Sequence, residues 1–141
     1  MNVMGRWLAI DYGSKRTGLA VTDPLKLIAN GLATVPTHQL LSYLQEYLRK
    51  EEVEKFVVGK PMTLRNQPSD NMKNVEQGVK MLRKHFPLIP IEMVDERFTS
   101  SIAHRAMIDG GLKKKDRQNK ALVDEISAVI ILQSYMESNR L

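Results

Sequence analysis

The chain has 141 residues, 43% hydrophobic and 26% charged, with a formal net charge of +5, a size that predicts one domain over residues 1–141 with an adequate core. It has no cysteine, which excludes disulfides, thiolate zinc sites and a cysteine nucleophile and suits a reducing cytoplasm. No run of about 18 apolar residues occurs and the start lacks the apolar stretch of a signal peptide, so neither a membrane span nor export is expected.

The first apolar run, Trp7-Leu8-Ala9-Ile10, ends on a carboxylate, Asp11. A polar turn and a second apolar run, Leu19-Ala20-Val21, follow, so a hairpin over 6–11 and 17–22 is predicted. Asp11 stands at the mouth of a turn whose glycines let a phosphate or a metal approach the backbone. Asp23-Pro24 marks a turn, 28–35 reads as a third strand, and Pro36 ends it. Thr37 is placed as the N-cap of a helix over 38–51, with Leu40, Leu41, Leu44, Tyr47 and Leu48 on one face.

Residues 55–59 form a short apolar run of the kind buried on both faces. Ser69 is placed as the cap of a helix to 85, with Met72, Val75, Val79 and Leu82 at helical spacing and Phe86-Pro87 as its stop. The run 89–94 is the last strand, and Asp95-Glu96 stand at its end. A helix from Ser100 or Ser101 to 109 ends at Gly110-Gly111, a basic segment covers 112–120, and a final helix spans 121–138. Strands joined by short turns run antiparallel, whereas strands reached through a helix run parallel. The expected fold class is therefore α/β: a mixed five-stranded sheet, three antiparallel strands and then two parallel ones, flanked by helices.

In such a sheet ligands gather outside the carboxyl ends of the parallel strands. Asp11, the pair Asp95-Glu96, and the pair Asp124-Glu125 in the first turn of the final helix converge there if the first and last parallel strands are near neighbours. Converging carboxylates repel unless a cation neutralises them. Their hard oxygens favour Mg²⁺ or Mn²⁺, which in pairs activate water and stabilise the leaving oxygen in phosphodiester hydrolysis. Each acid also has a plain role: a turn residue for Asp11, a helix N-terminal acid for Asp124, a solvated surface group for Asp95-Glu96.

Four blocks then resemble one family, in its order and across nearly the whole chain. They are Asp11-Tyr12-Gly13-Ser14-Lys15-Arg16-Thr17-Gly18, continuing to Asp23; Val57-Val58-Gly59-Lys60-Pro61; Asp95-Glu96-Arg97-Phe98-Thr99-Ser100; and Asp124-Glu125-Ile126-Ser127-Ala128, continuing to Gln133. This pattern is similar to that of the YqgF family of Holliday-junction resolvases or pre-16S rRNA nucleases. The resemblance implies a ribonuclease H-like fold and a cytoplasmic, metal-dependent endonuclease with catalytic and metal-binding acids at Asp11, Glu96 and Asp124. Some resolvases of this fold carry a fourth acid one helical turn after the helix acid. That position is Ser127 here, which leaves Asp95 or Glu125 as substitutes. The loop after Pro61 also departs from the family pattern, with Met62-Thr63-Leu64-Arg65-Asn66-Gln67.

The cations complete the reading. Lys15 and Arg16 lie in the turn beside Asp11, where a scissile phosphate would dock, and Arg97 follows Glu96. Lys113, Lys114, Lys115 and Arg117 form the densest positive segment, read as a loop that binds a nucleic-acid backbone. His38, His85 and His104 fit no metal spacing and read as surface residues, so a metal-bound water is the expected nucleophile. Two substrates stand open, the 5′ end of pre-16S rRNA and a four-way DNA junction, the latter needing a homodimer. Other classes are a non-catalytic nucleic-acid binder and a phosphotransferase. The Asp11-to-Ser14 turn also resembles that of actin-like and sugar kinases, which need two such domains.

Overall fold

The computed structural model describes residues 5–60, 71–95 and 120–139. Five strands, β1 (Arg6–Tyr12), β2 (Arg16–Thr22), β3 (Ala29–Pro36), β4 (Val53–Lys60) and β5 (Ile91–Asp95), form one sheet in the order β3-β2-β1-β4-β5. β1 pairs antiparallel with β2, and β2 with β3; β1 pairs parallel with β4, and β4 with β5. This is the mixed sheet expected from the connections. The described helices are α1 (Leu40–Lys50), α2 (Met72–His85) and α3 (Lys120–Ser138). The proposed cap Ser69 and the proposed helix from Ser100 or Ser101 lie outside the described residues.

Strand alternation sorts the core into two layers. Leu8, Ile10, Leu19, Val21, Phe56 and Val58 face Leu40 and Leu44 of α1 and Val75, Val79 and Leu82 of α2. The intervening residues Ala9, Ala20 and Val57 face Ala128, Ile131, Leu132 and Tyr135 of α3. The two faces differ in side-chain size, and that difference sets the geometry. Ala9 and Ala20 are cross-strand partners, so the surface under α3 is low and the helix settles close to the sheet. At Gly18 the approach is closest: a Cβ there would collide with the main-chain carbonyl of Asp124.

One local expectation is corrected. Thr37 does not cap α1 with its side chain. A 3-10 turn, Thr37–Gln39, precedes the helix. The Thr37 hydroxyl instead donates to the Gly13 carbonyl at 2.7 Å and meets the Thr17 hydroxyl at 2.9 Å. Its backbone N–H donates to the Lys15 carbonyl at 2.9 Å. A residue with three partners in the neighbouring turn has no hydroxyl left for a helix.

Gly18→Ala is expected to lower stability by about 3 kcal/mol, the upper end of ordinary overpacking, because the new methyl meets backbone rather than a movable side chain. Urea denaturation checks this. Ala20→Gly, which removes a methyl from the same strand and face, is expected to cost about 1 kcal/mol.

Candidate active site

The site lies where β1, the β1–β2 turn and α3 meet. Asp11 is the penultimate residue of β1, directly opposite Gly18 in register. Alternation puts Asp11, Gly18 and Arg16 on the α3 face, with Ala9 and Ala20. Asp124 packs its backbone on Gly18, so its neighbourhood is set by the same contact. Its carboxylate Oδ2 accepts from Arg16 Nε at 2.8 Å, across 108 residues of sequence. The helix begins at Lys120, so Asp124 stands beyond the first turn, which carries no acid. The plain macrodipole role therefore does not explain its position.

The charge balance is uneven. Burial, and then the negative charge of Asp124, push the Asp11 carboxyl from its ordinary 3.8 up to about 7. Two hard oxygen donors, one of them pushed up to about 7 by burial and by its acidic neighbour, are the donor chemistry that suits a Mg²⁺ or Mn²⁺ ion. The described residues thus fit such an ion, although they hold no cluster of three candidate ligands among themselves. Glu96, the third expected acid, lies outside the described residues, as do Arg97, Lys113, Lys114, Lys115 and Arg117. Asp95 ends β5 opposite Lys60, and Glu125 reaches over β3 to Gly31. Ser127 is buried.

Beside the acids is an open cleft of about 320 Å³ lined by Gly13, Ser14, Lys15, Arg16, Asn71 and Asp124. Lys15 is exposed at the turn. Asn71 is a residue that sequence reasoning missed. Its Nδ2 donates to the carbonyl of Tyr12 at 2.9 Å, and its Oδ1 accepts from Asn74 at 3.0 Å. It thereby ties the residue after Asp11 to the start of α2. An asparagine just before a helix ordinarily reads as a cap, so nothing local in the sequence signals this reach. Tyr12 packs against Gly78 of α2 and belongs to the core rather than to a stacking surface. His38 and His85 are exposed, as expected; His104 lies outside the described residues.

A larger cleft, about 650 Å³, lies at the other end of β1. There Trp7 meets Tyr135 edge-on at 5.1 Å, and Lys55 Nζ donates to the Tyr135 hydroxyl at 2.7 Å. Its carboxylate, Glu54, is paired with Lys26 at 2.6 Å. Size favours this cleft, but it lacks paired acids, and the chemistry points to the smaller one.

Comparison with known proteins gives the family and the fold. The sequence model of a family described as "RuvX: Holliday junction resolvase" matches residues 5–138. A protein of Phocaeicola vulgatus named "Putative pre-16S rRNA nuclease" is 66% identical over 137 residues, covering 97% of this chain and 99% of its own. A protein of the same name from Bacteroides thetaiotaomicron is 63% identical, with the same coverage. Among solved structures, Thermus thermophilus RuvC in complex with a Holliday junction substrate is similar at a TM-score of 0.55. It is 19% identical and covers 94% of this chain and 96% of that one. At that identity the likeness shows the fold, which is ribonuclease H-like. No described helix is long and apolar enough to cross a membrane.

Two outcomes are expected. Thr37→Val removes the hydroxyl from Gly13 and Thr17 and should cost about 1–3 kcal/mol in urea denaturation. The second concerns pH. Between its ordinary 3.8 and about 7, Asp11 in the folded protein keeps a proton that the unfolded chain has lost. Its contribution to stability therefore falls as pH rises through that window. Metal-free protein should show this fall, and Asp11→Asn should remove it.

Proposed function

The chain belongs to the RuvX family, and from that membership we propose that the whole chain acts as one metal-dependent nuclease domain that hydrolyses phosphodiester bonds in structured nucleic acid. The observation that carries the proposal is the buried Asp11 carboxyl, raised to about 7 beside Asp124 at the carboxyl end of the parallel strands. A nucleic-acid binder without catalysis has no use for such a pair, because carboxylates alone repel phosphate.

In this reading Asp11, Asp124 and Glu96 hold Mg²⁺ or Mn²⁺. Support for Glu96 is its place directly after Asp95, two residues beyond Val94, which packs in the α3-side core. The ion supplies activation of water and neutralisation of the leaving oxygen. The protein's own groups do the rest. Gly18 lets α3 bring Asp124 up to the β1–β2 pair, and Thr37 and Asn71 fix the backbone that follows Asp11, at Tyr12, Gly13 and Lys15. Lys15 and Arg16 draw the phosphate backbone into the cleft, and Arg97, Lys113, Lys114, Lys115 and Arg117 extend the positive track. Contacts of this kind read backbone and shape rather than base sequence.

The proposed substrate is the 5′ end of pre-16S rRNA, in the cytoplasm, supported by the names of relatives sharing about two thirds of the sequence. The second reading, a four-way DNA junction cut by a homodimer, rests on the family description.

Purified protein with Mg²⁺ or Mn²⁺ is expected to trim a pre-16S rRNA fragment in preference to a four-way junction. Asp11→Asn and Asp124→Asn should each lower the cleavage rate by on the order of 10³-fold while sparing RNA binding. Equal behaviour of wild type and Asp11→Asn on every substrate would falsify the catalytic reading. Preference for the junction, with a dimer in sedimentation, would favour the second substrate.

A further inference from the structure

Arg16 joins the hairpin to α3 through one ion pair, Nε to Asp124 Oδ2 at 2.8 Å. Three features bear on what this contact does. The turn that carries Arg16 is held from Thr37 at Gly13, Lys15 and Thr17, so the guanidinium moves on a fixed base. The pair is open to solvent, with 39% of the Arg16 side chain and 24% of the Asp124 side chain exposed, and ion pairs so placed are weak. Finally, Arg16 lines the same cleft as Lys15 and Asn71, where a phosphate would enter. The cation thus sits between an acid of the proposed ion site and the proposed phosphate path.

We infer that Arg16 is an exchangeable counter-ion, holding Asp124 in the metal-free protein and passing to a backbone phosphate of the nucleic acid when a divalent cation is bound. The inference rests on the metal-site reading above. A carboxylate oxygen that ligates Mg²⁺ lies about 2.1 Å from the ion, and the ion's double charge repels a guanidinium held at that oxygen. Arg16 then leaves Asp124 but remains on the anchored turn beside Lys15. Its planar fork matches a phosphate, as a lysine ammonium does not. By linkage, divalent cation and phosphate backbone then bind more tightly together than apart.

Nitrogen-15 spectra of the full chain, with the Arg16 Nε–H signal assigned by its loss in Arg16→Lys, test this directly. On addition of Mg²⁺ the signal is expected to move to the position of solvent-exposed arginines while the Asp11 and Asp124 carboxyl carbons also shift. In calorimetry Arg16→Gln should bind Mg²⁺ about two- to fivefold more tightly than wild type, and Lys15→Gln should change affinity by less than about twofold. With a 2′-O-methyl RNA duplex, Mg²⁺ should strengthen wild-type binding relative to chelator, and Arg16→Gln should lose that gain. An unmoved Arg16 signal beside shifted carboxyl carbons overturns the exchange and leaves the metal site standing. If neither carboxyl carbon responds to Mg²⁺, the metal-site reading fails and the exchange falls with it. Equal effects of Arg16→Gln and Lys15→Gln on Mg²⁺ affinity reduce Arg16 to bulk charge and also overturn it.

Discussion

The contact on which the rest depends is between a glycine and a helix backbone. α3 reaches the sheet at Gly18 with no side chain between them, over a floor of Ala9 and Ala20. That approach sets the height of the helix, and the height sets where Asp124 stands. With a larger residue at Gly18 the same helix would ride up, and its acid would leave the neighbourhood of Asp11. Small residues on one face of the hairpin are therefore part of the site, although they carry no chemistry. The opposite face, filled by Leu8, Ile10, Leu19 and Phe56 against α1 and α2, makes the floor rigid.

Electrostatics follows from that packing. Burying one carboxylate and placing a second beside it is unfavourable in itself, and the raised Asp11 carboxyl registers both costs, burial the larger. Arg16 relieves one of the two acids. In the proposed reading a divalent cation relieves the other, and Lys15 beside the cleft faces the anionic backbone. Among the described residues, opposite charges are separated by depth: Asp11 at the sheet, Lys15 at the rim.

Much of this was legible in the sequence, for identifiable reasons. Alternation in Trp7 to Asp11 and Leu19 to Val21 gave the hairpin, and the helical connections gave the parallel pairs, because both depend on short-range pattern and connection length. Asp11 and Asp124 were legible as candidates because the sequence pattern puts each near an element end, where packing does not need a carboxylate. Less visible was anything set by contact between distant segments. Thr37 looked like a cap because threonine before a helix usually is one, but its partners lie in a turn more than twenty residues earlier. Asn71 was missed for the same reason. Arg16 was read as a free phosphate ligand, whereas its contact with Asp124 spans 108 residues and leaves no local trace. The start of α3 at Lys120, just before the expected 121, moved Asp124 out of the first turn.

The span of that ion pair has a consequence for when the protein can work. The hairpin precedes α3 in the chain and so leaves the ribosome before it. Local pairs close early, while contacts of high sequence separation wait for the chain that supplies them. The acid pair therefore does not exist in a nascent chain, however well the first strands have folded. In a chain still being made, the candidate acid pair is completed only when α3 has emerged and docked on the hairpin.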